Sequence, residues 1–351
     1  MRDESLVLRR TGSPDRVLVS VRDEQWADAL PSQRRFQVSP DARILAYTRP
    51  DTEALEIVRR DGRTTTIGGV REGDVRFSPE GKVLAVVRAG HGAQLITRVD
   101  LQRFEADTWA ELRSPTWIEH CADGLVVLHL HEDPSKSDAC LTLLPWEGAP
   151  QRLVQTDWGL SRFTVAKAGT RIVYFHRTGI YAVERPGAEP ERLGSVPGSY
   201  VNLVRNAEMS PDGRTVAFTA GRGLYVIEGS SEPVLRGAAD EDVHSIWFSR
   251  DGRELSWASG ERAVWRKDGE ERSLASEGAP IAAMRFLQAS PGLIVSRGRE
   301  VLRWSPSRDE VEVITTLDDE GKELIGADVF DGGIVLWTGT PWETARPKPR
   351  L

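Results

Sequence analysis

The chain is poor in the residues that carry most metal and redox chemistry. It has two cysteines and six histidines in 351 residues. Cys121 and Cys140 make no C-x-x-C motif and no disulfide framework. They fall in one repeat of the pattern described below, so a bridge is geometrically conceivable, but a reduced cytosolic pair is the expectation. Lysine is scarce too: six of the 46 basic residues. The arginine excess reads as the mark of a GC-rich genome. Net charge is −7 and the isoelectric point about 5.6, which argues against nonspecific binding to nucleic acid or anionic membrane. No stretch nears the ~20 apolar residues of a membrane span. The opening MRDESLVLRR has no apolar run of signal length, so a cytoplasmic protein is expected. No G-x-S-x-G elbow occurs, no glycine loop precedes a helical pattern, and no nucleophile stands at motif spacing from a base.

What is present is one phrase, written eight times. VSPDARILAY (from Val38), FSPEGKVLAV (from Phe77), MSPDGRTVAF (from Met209) and FSRDGRELSW (from Phe248) are its clear copies. HCADGLVVL (from His120), VAKAGTRIVYF (from Val165), QASPGLIVS (from Gln288) and FDGGIVLW (from Phe330) are weaker ones. Each reads strand, turn, strand, with a turn dipeptide such as Asp-Gly between. Asp41-Ala42 lacks the glycine, so a different turn type is expected there. One aligned residue recurs at Ala46, Ala85, Val127, Val173, Ala217, Ser256, Val295 and Leu336, at gaps of 39, 42, 46, 44, 39, 39 and 41. A third, alternating strand follows, as in LEIVRRDG (from Leu55) and LYVIEG (from Leu224), and then a fourth. Four-stranded units at a period near forty predict an all-β fold, the β-propeller.

The eighth unit lacks its third and fourth strands. SLVLRRTG (from Ser5) and RVLVSV (from Arg16) supply them at the other end of the chain. The expectation is therefore one domain over 1–351, with eight four-stranded blades. Residues 5–21 would pair with 325–338 as a closing blade, which removes exposed sheet edges. Seven blades with loose ends is the alternative count. Composition is 39% hydrophobic with eleven tryptophans. Trp247, Trp257, Trp265, Trp304 and Trp337 lie in strands and are expected to fill the wedges between blades.

The S-P-D-G phrase resembles the repeat of TolB-like bacterial propellers and of the gating domains of prolyl-oligopeptidase-type enzymes, and overlaps the wider WD-repeat group. The resemblance runs from Phe36 to Trp337 with the N-terminal strands. It departs from true WD repeats, since no third strand ends in Trp-Asp and no Gly-His pair opens a blade. The export and added N-terminal domain of TolB-like proteins and the hydrolase domain of the oligopeptidases are not expected here. The resemblance thus implies a stand-alone ring used as a binding scaffold.

Loops between second and third strands share a face with the connections between blades. They are tight in HRTG (from His176), AGRG (from Ala220), SGER (from Ser259) and SRGR (from Ser296). They are long in TRPDTEA (from Thr48), RAGHGAQ (from Arg88, with His91) and HEDPSKSDA (from His131). The connection 22–35 and the C-terminal tail belong to the same side. This predicts a recognition surface for a protein or peptide, with Trp26 and Trp342 as anchors and Arg34, Arg35, Arg49, His91 and Arg346 around them. The ring itself is expected to be a monomer without cofactor or catalysis.

Two other groups bring ligand-type side chains together in sequence. His129 and His131 share one face of a strand near His120, Cys121 and Cys140, a spacing that can serve a metal; ordinary hairpin histidines are the expectation. Asp240-Glu241-Asp242 and Asp318-Asp319-Glu320 lie in connections between blades, where solvated charge is expected over a Ca²⁺ site. The alternative function is a metal-dependent propeller hydrolase or lactonase with its site at the channel mouth.

Overall fold

The computed structural model describes residues 2–9, 15–23, 36–49, 52–70, 75–89, 93–157, 159–167, 171–197, 204–229, 232–237, 242–287, 292–318, 322–330 and 333–339. Strands β1 (Arg2–Arg9) and β2 (Arg16–Asp23) open the chain. β3 (Phe36–Val38), β4 (Ile44–Arg49), β5 (Ala54–Arg59) and β6 (Thr64–Gly68) form a four-stranded antiparallel sheet in that order. A seven-stranded sheet follows: β7 (Val75–Phe77), β8 (Val83–Ala89), β9 (Gln94–Asp100), β10 (Glu105–Cys121), β11 (Gly124–Leu130), β12 (Ala139–Pro145) and β13 (Gln151–Thr156). The next sheet is β14 (Leu160–Val165), β15 (Ile172–His176), β16 (Gly179–Val183) and β17 (Glu191–Ser195). After it come β18 (Ala207–Met209), β19 (Thr215–Ala220), β20 (Gly223–Glu228) and β21 (Val234–Leu235). Two further sheets are β22 (Ser245–Phe248), β23 (Glu254–Ala258), β24 (Arg262–Lys267) and β25 (Glu270–Ala275), then β26 (Ile281–Phe286), β27 (Leu293–Arg297), β28 (Glu300–Ser305) and β29 (Glu310–Thr316).

The last strands, β30 (Glu323–Phe330) and β31 (Gly333–Gly339), join the first two in a sheet of order β2-β1-β31-β30. Leu6 stands opposite Trp337 and Leu8 opposite Val335. No helix among the described residues is long and apolar enough to cross a membrane.

The seven-stranded sheet differs from the expected run of separate units. β10 serves as the last strand of one four-stranded unit and the first of the next, pairing with β9 through Glu105–Leu112 and with β11 through Arg113–Cys121. The two halves meet at a kink. Ser114 has φ of 45°, Pro115 follows it, and the register shifts between Arg113 and Trp117. A bend replaces the loop that punctuates the other units.

The repeated phrase has a structural task. The Ser39 hydroxyl donates to Asp41 Oδ1 over 2.6 Å and accepts the Ile44 N–H at 2.9 Å. Ser249 does the same with Asp251 and Glu254. Asp41-Ala42 proves to make the same turn as its glycine-bearing counterparts. Ala42 has φ of 57° and donates to the Ser39 carbonyl at 2.8 Å, just as Gly213 (φ 75°) donates to Ser210. The serine–aspartate lock holds a left-handed alanine that composition alone would not suggest.

The chain divides into two compact units, 1–67 with 256–351, and 68–255. In both, the core lies between the faces of successive sheets. In the second unit, Val126, Leu141 and Val154 of the seven-stranded sheet pack with Phe163 and Ile172 of the next. Phe175 of that sheet packs in turn with Phe218, their ring centres 5.0 Å apart. In the first unit, Trp265 and Trp304 fill the space around Met284. The aligned row of the repeat, Ala46 to Leu336, is at most 1% exposed throughout. Trp257, Trp265 and Trp304 are buried as expected and Trp247 is half-buried, while the Trp337 side chain lies outside the described residues.

Candidate functional site

In the second unit the first strands of successive repeats, β7, the later part of β10, β14, β18 and β22, lie side by side. Three of them carry a charged side chain one residue ahead of the position that opens the repeated phrase: Arg76 on β7, Glu119 on β10 and Glu208 on β18. Arg76 and Glu119 form an ion pair at 3.5 Å. The Arg76 guanidinium lies 5.0 Å from the centre of the Trp117 ring and the Arg162 guanidinium 3.6 Å from it. Both are cation–π distances. Glu208 stands on the same row. Burial pushes its carboxyl up to about 7; Lys167, Arg76 and Arg162 pull it down and Glu119 adds to the rise. In the first unit Arg285 on β26 and Asp328 on β30, also on first strands of repeats, are an ion pair too. The row therefore neutralises itself largely in arginine–carboxylate pairs. Sequence reasoning passed over it; the charges standing just before Phe77, His120 and Met209, at Arg76, Glu119 and Glu208, carried the signal.

Of the expected recognition residues, Trp26, Arg34, Arg35, His91, Trp342 and Arg346 lie outside the described residues. Arg49, near the end of β4, is half-buried and donates to Glu56 on β5 at 3.0 Å. Glu56 also accepts from the Tyr47 hydroxyl, so this cation is engaged by its own sheet.

Of the three long loops, only the one between β11 and β12 is described throughout, and it is exposed yet ordered by hydrogen bonds. Arg113 Nη1 donates to the carbonyls of His131 (3.1 Å), Asp133 (3.3 Å) and Lys136 (3.1 Å). The Asp133 N–H donates to His131 Nδ1 at 3.0 Å, and the Ser135 N–H and hydroxyl cap Asp133 Oδ1. Arg152 and Gln155 of β13 brace Glu132 and Asp138, at 2.7 and 2.8 Å. One guanidinium and two β13 side chains thus hold a projecting turn whose side chains from Glu132 to Ser137 face solvent.

Both ring nitrogens of His129 are already committed. His129 Nδ1 lies 2.7 Å from the Leu130 carbonyl and Nε2 2.8 Å from Thr142 Oγ1, so the ring donates at one nitrogen and accepts at the other. Burial pushes its pKa down. His120 sits in a stack with Trp146 (5.5 Å) and Trp109 (6.5 Å), and burial lowers it to about 4. Cys121 and Cys140 are free thiols, both buried, and burial raises both. No group of three or more metal-ligating side chains occurs among the described residues.

No family model matches the chain. No curated protein matches it. Solved structures do. Dihydro-heme d1 dehydrogenase NirN, solved in complex with DHE, matches at 17% identity with a TM-score of 0.61, over 87% of this chain and 70% of that one. Virginiamycin B lyase from Staphylococcus aureus matches at 10% identity and a TM-score of 0.54, over 97% and 100%. The β-propeller domain of the Trilobed protease from Pyrococcus furiosus, which has an open velcro topology, matches at 15% identity and a TM-score of 0.52, over 79% and 95%. At such identities the likeness is one of fold. The chain is similar to β-propellers in its succession of antiparallel, mostly four-stranded sheets.

Proposed function

We propose that the chain is a propeller scaffold that acts by binding, and that it takes a protein or peptide partner on the face where the loops between second and third strands emerge. Eight blades are the reading. The six four-stranded sheets count as six, and the seven-stranded sheet as two that share β10. The sheet β2-β1-β31-β30 is then the blade that closes one domain, and the ring is a cytoplasmic monomer.

The observation that carries the reading is Arg113 beneath the 131–138 loop. A loop already held in one shape loses little freedom when a partner seats on it, which lowers the ordering cost of association. Glu132, Asp133 and Lys136 are then contact residues presented by a rigid support.

The test is capture from cells by the wild-type chain and by a variant with 132–137 replaced by glycine and serine. The expected result is one stoichiometric partner, lost in the variant, with the melting temperature nearly unchanged. Equal capture by both chains would overturn the choice of face. A stoichiometric divalent ion together with lactone or ester hydrolysis would favour the metal-dependent hydrolase instead.

A further inference from the structure

The first unit carries an open strand edge. β29 ends the sheet β26-β27-β28-β29, and no strand pairs with its far side. It runs from Glu310 to Thr316, and none of these residues is buried. Among the described residues six large apolar side chains stand exposed, and three of them are Val311, Val313 and Ile314. Other strands at sheet ends are better guarded. β6, β13 and β17 turn Ile67, Leu153 with Val154, and Leu193 inward. β21 is two residues long, and β25 carries no large exposed apolar residue.

The two faces of β29 differ. Val311 stands opposite Trp304 and Val313 opposite Leu302, and Trp304 and Leu302 pack with Trp265 of β24. Val311 and Val313 project past that core, 46% and 51% exposed. Glu310 stands opposite Ser305 and Glu312 opposite Arg303. They share a face with Val301, which packs with Leu324 of β30 and Leu336 of β31. Glu312 makes no ion pair or hydrogen bond among the described residues, and Glu310 has Arg308 at 4.0 Å. Acidic and apolar side chains thus alternate along an edge that offers the N–H and C=O of every second residue.

The strand is held at its ends and bare between them. Arg9 Nη1 donates to Thr315 Oγ1 at 2.7 Å and to the Thr316 carbonyl at 2.8 Å. Arg272 Nη1 donates to the Pro306 carbonyl in the turn that leads into β29. Ile314 is an extra residue on the strand, since Thr315 pairs with Val301 and Val313 with Leu302. Bulges and charges are devices that keep an edge from pairing with its own kind. The charges on β29 are both negative, so what repels a second copy attracts a basic chain.

We infer that β29 is a docking edge for an extended segment of another protein in which lysine or arginine alternates with apolar residues. The segment adds as a fifth strand. Its backbone takes the open amides and carbonyls of 310–313, its apolar side chains cover Val311 and Val313, and its cations meet Glu310 and Glu312. Because the strand is already ordered, little freedom is lost when the segment seats. The inference is independent of the partner proposed for the 131–138 loop.

The experiment is amide hydrogen exchange on the full chain with three capped heptapeptides at millimolar concentration: alternating Lys-Val-Lys-Val-Lys-Val-Lys, the block Lys-Lys-Lys-Lys-Val-Val-Val, and alternating Glu-Val-Glu-Val-Glu-Val-Glu. The first is expected to slow exchange in 310–316, and the other two to leave it unchanged. Glu312→Lys is expected to weaken binding of the first peptide about tenfold, as an attractive cross-strand pair becomes a repulsive one. Glu191→Lys, at the exposed start of β17, is expected to leave it intact, and so is replacement of 132–137 by glycine and serine. No slowing, slowing at other strands alone, equal slowing by the block peptide, or equal binding by wild type and Glu312→Lys would each overturn the assignment. So would light scattering that shows the free chain to be a dimer with 310–316 already protected, for the edge would then belong to a second copy.

Discussion

The Ser210 hydroxyl donates to Asp212 Oδ1 over 2.6 Å and accepts the Thr215 N–H at 2.9 Å. Ser210→Ala removes both and leaves the part-buried Thr215 N–H without its acceptor, so it is expected to destabilise by about 1 kcal/mol in urea titrations. Burial raises the Asp212 carboxyl, but the Ser210 hydroxyl and the Arg214 N–H outweigh it, and the group ends below the usual carboxylate range. A depressed native pKa means stability present at neutral pH and lost as acid titrates the native state. The variant is therefore expected to lose part of the acid sensitivity of the wild type.

Glu208 predicts the opposite pH dependence. Its native carboxyl is raised to about 7, so its contribution to stability is present below the ordinary carboxylate range and disappears as pH rises through the native value. Glu208→Gln is expected to melt a few degrees above wild type in mildly alkaline buffer and level with it in acid. Scanning calorimetry at the two pH values checks this.

Ala42 holds a left-handed conformation that disfavours a side chain by roughly 1–2 kcal/mol. Glycine gives some of this back through the unfolded chain. Ala42→Gly is expected to stabilise by about 0.5–1 kcal/mol, and Ala42→Val to destabilise, both read by denaturant midpoints.

Ser256 occupies the aligned row that is alanine or valine in six of its eight members. It is fully buried, and its hydroxyl has no hydrogen-bond partner among the described residues. Ser256→Ala is expected to raise stability by about 1 kcal/mol, measured in the same titrations.

Arg113→Ala is expected to expose the 131–138 loop to proteolysis. Limited digestion followed by mass spectrometry should show new cleavage at this loop while the melting temperature falls only a few degrees, because the core beneath it is apolar and does not depend on the guanidinium.

The packing row was legible in the sequence because a wedge between sheets admits the same small or branched residue at every turn of the repeat; Ala46, Val173 and Val295 needed no other information. The meaning of Ser and Asp in the phrase was less so, since a hydroxyl that locks a turn and one that merely flanks it look alike in letters. Ala42 was misread because glycine is the common left-handed residue and not the only one. The expected separate units run together at β10, for a bend at Ser114-Pro115 stands where a loop would divide them. The charged row at Arg76, Glu119 and Glu208 was hidden by alternation, which makes any charge beside an apolar residue look solvent-facing.

The shared length of backbone at β10 has an evolutionary reading. Repeat proteins grow and shrink by duplicating or deleting a single module. Where one continuous segment is the outer edge of one module and the inner edge of the next, neither can be removed without tearing its neighbour. These two have been tied into one heritable block of roughly twice the ordinary size, and their amides should open to solvent exchange together.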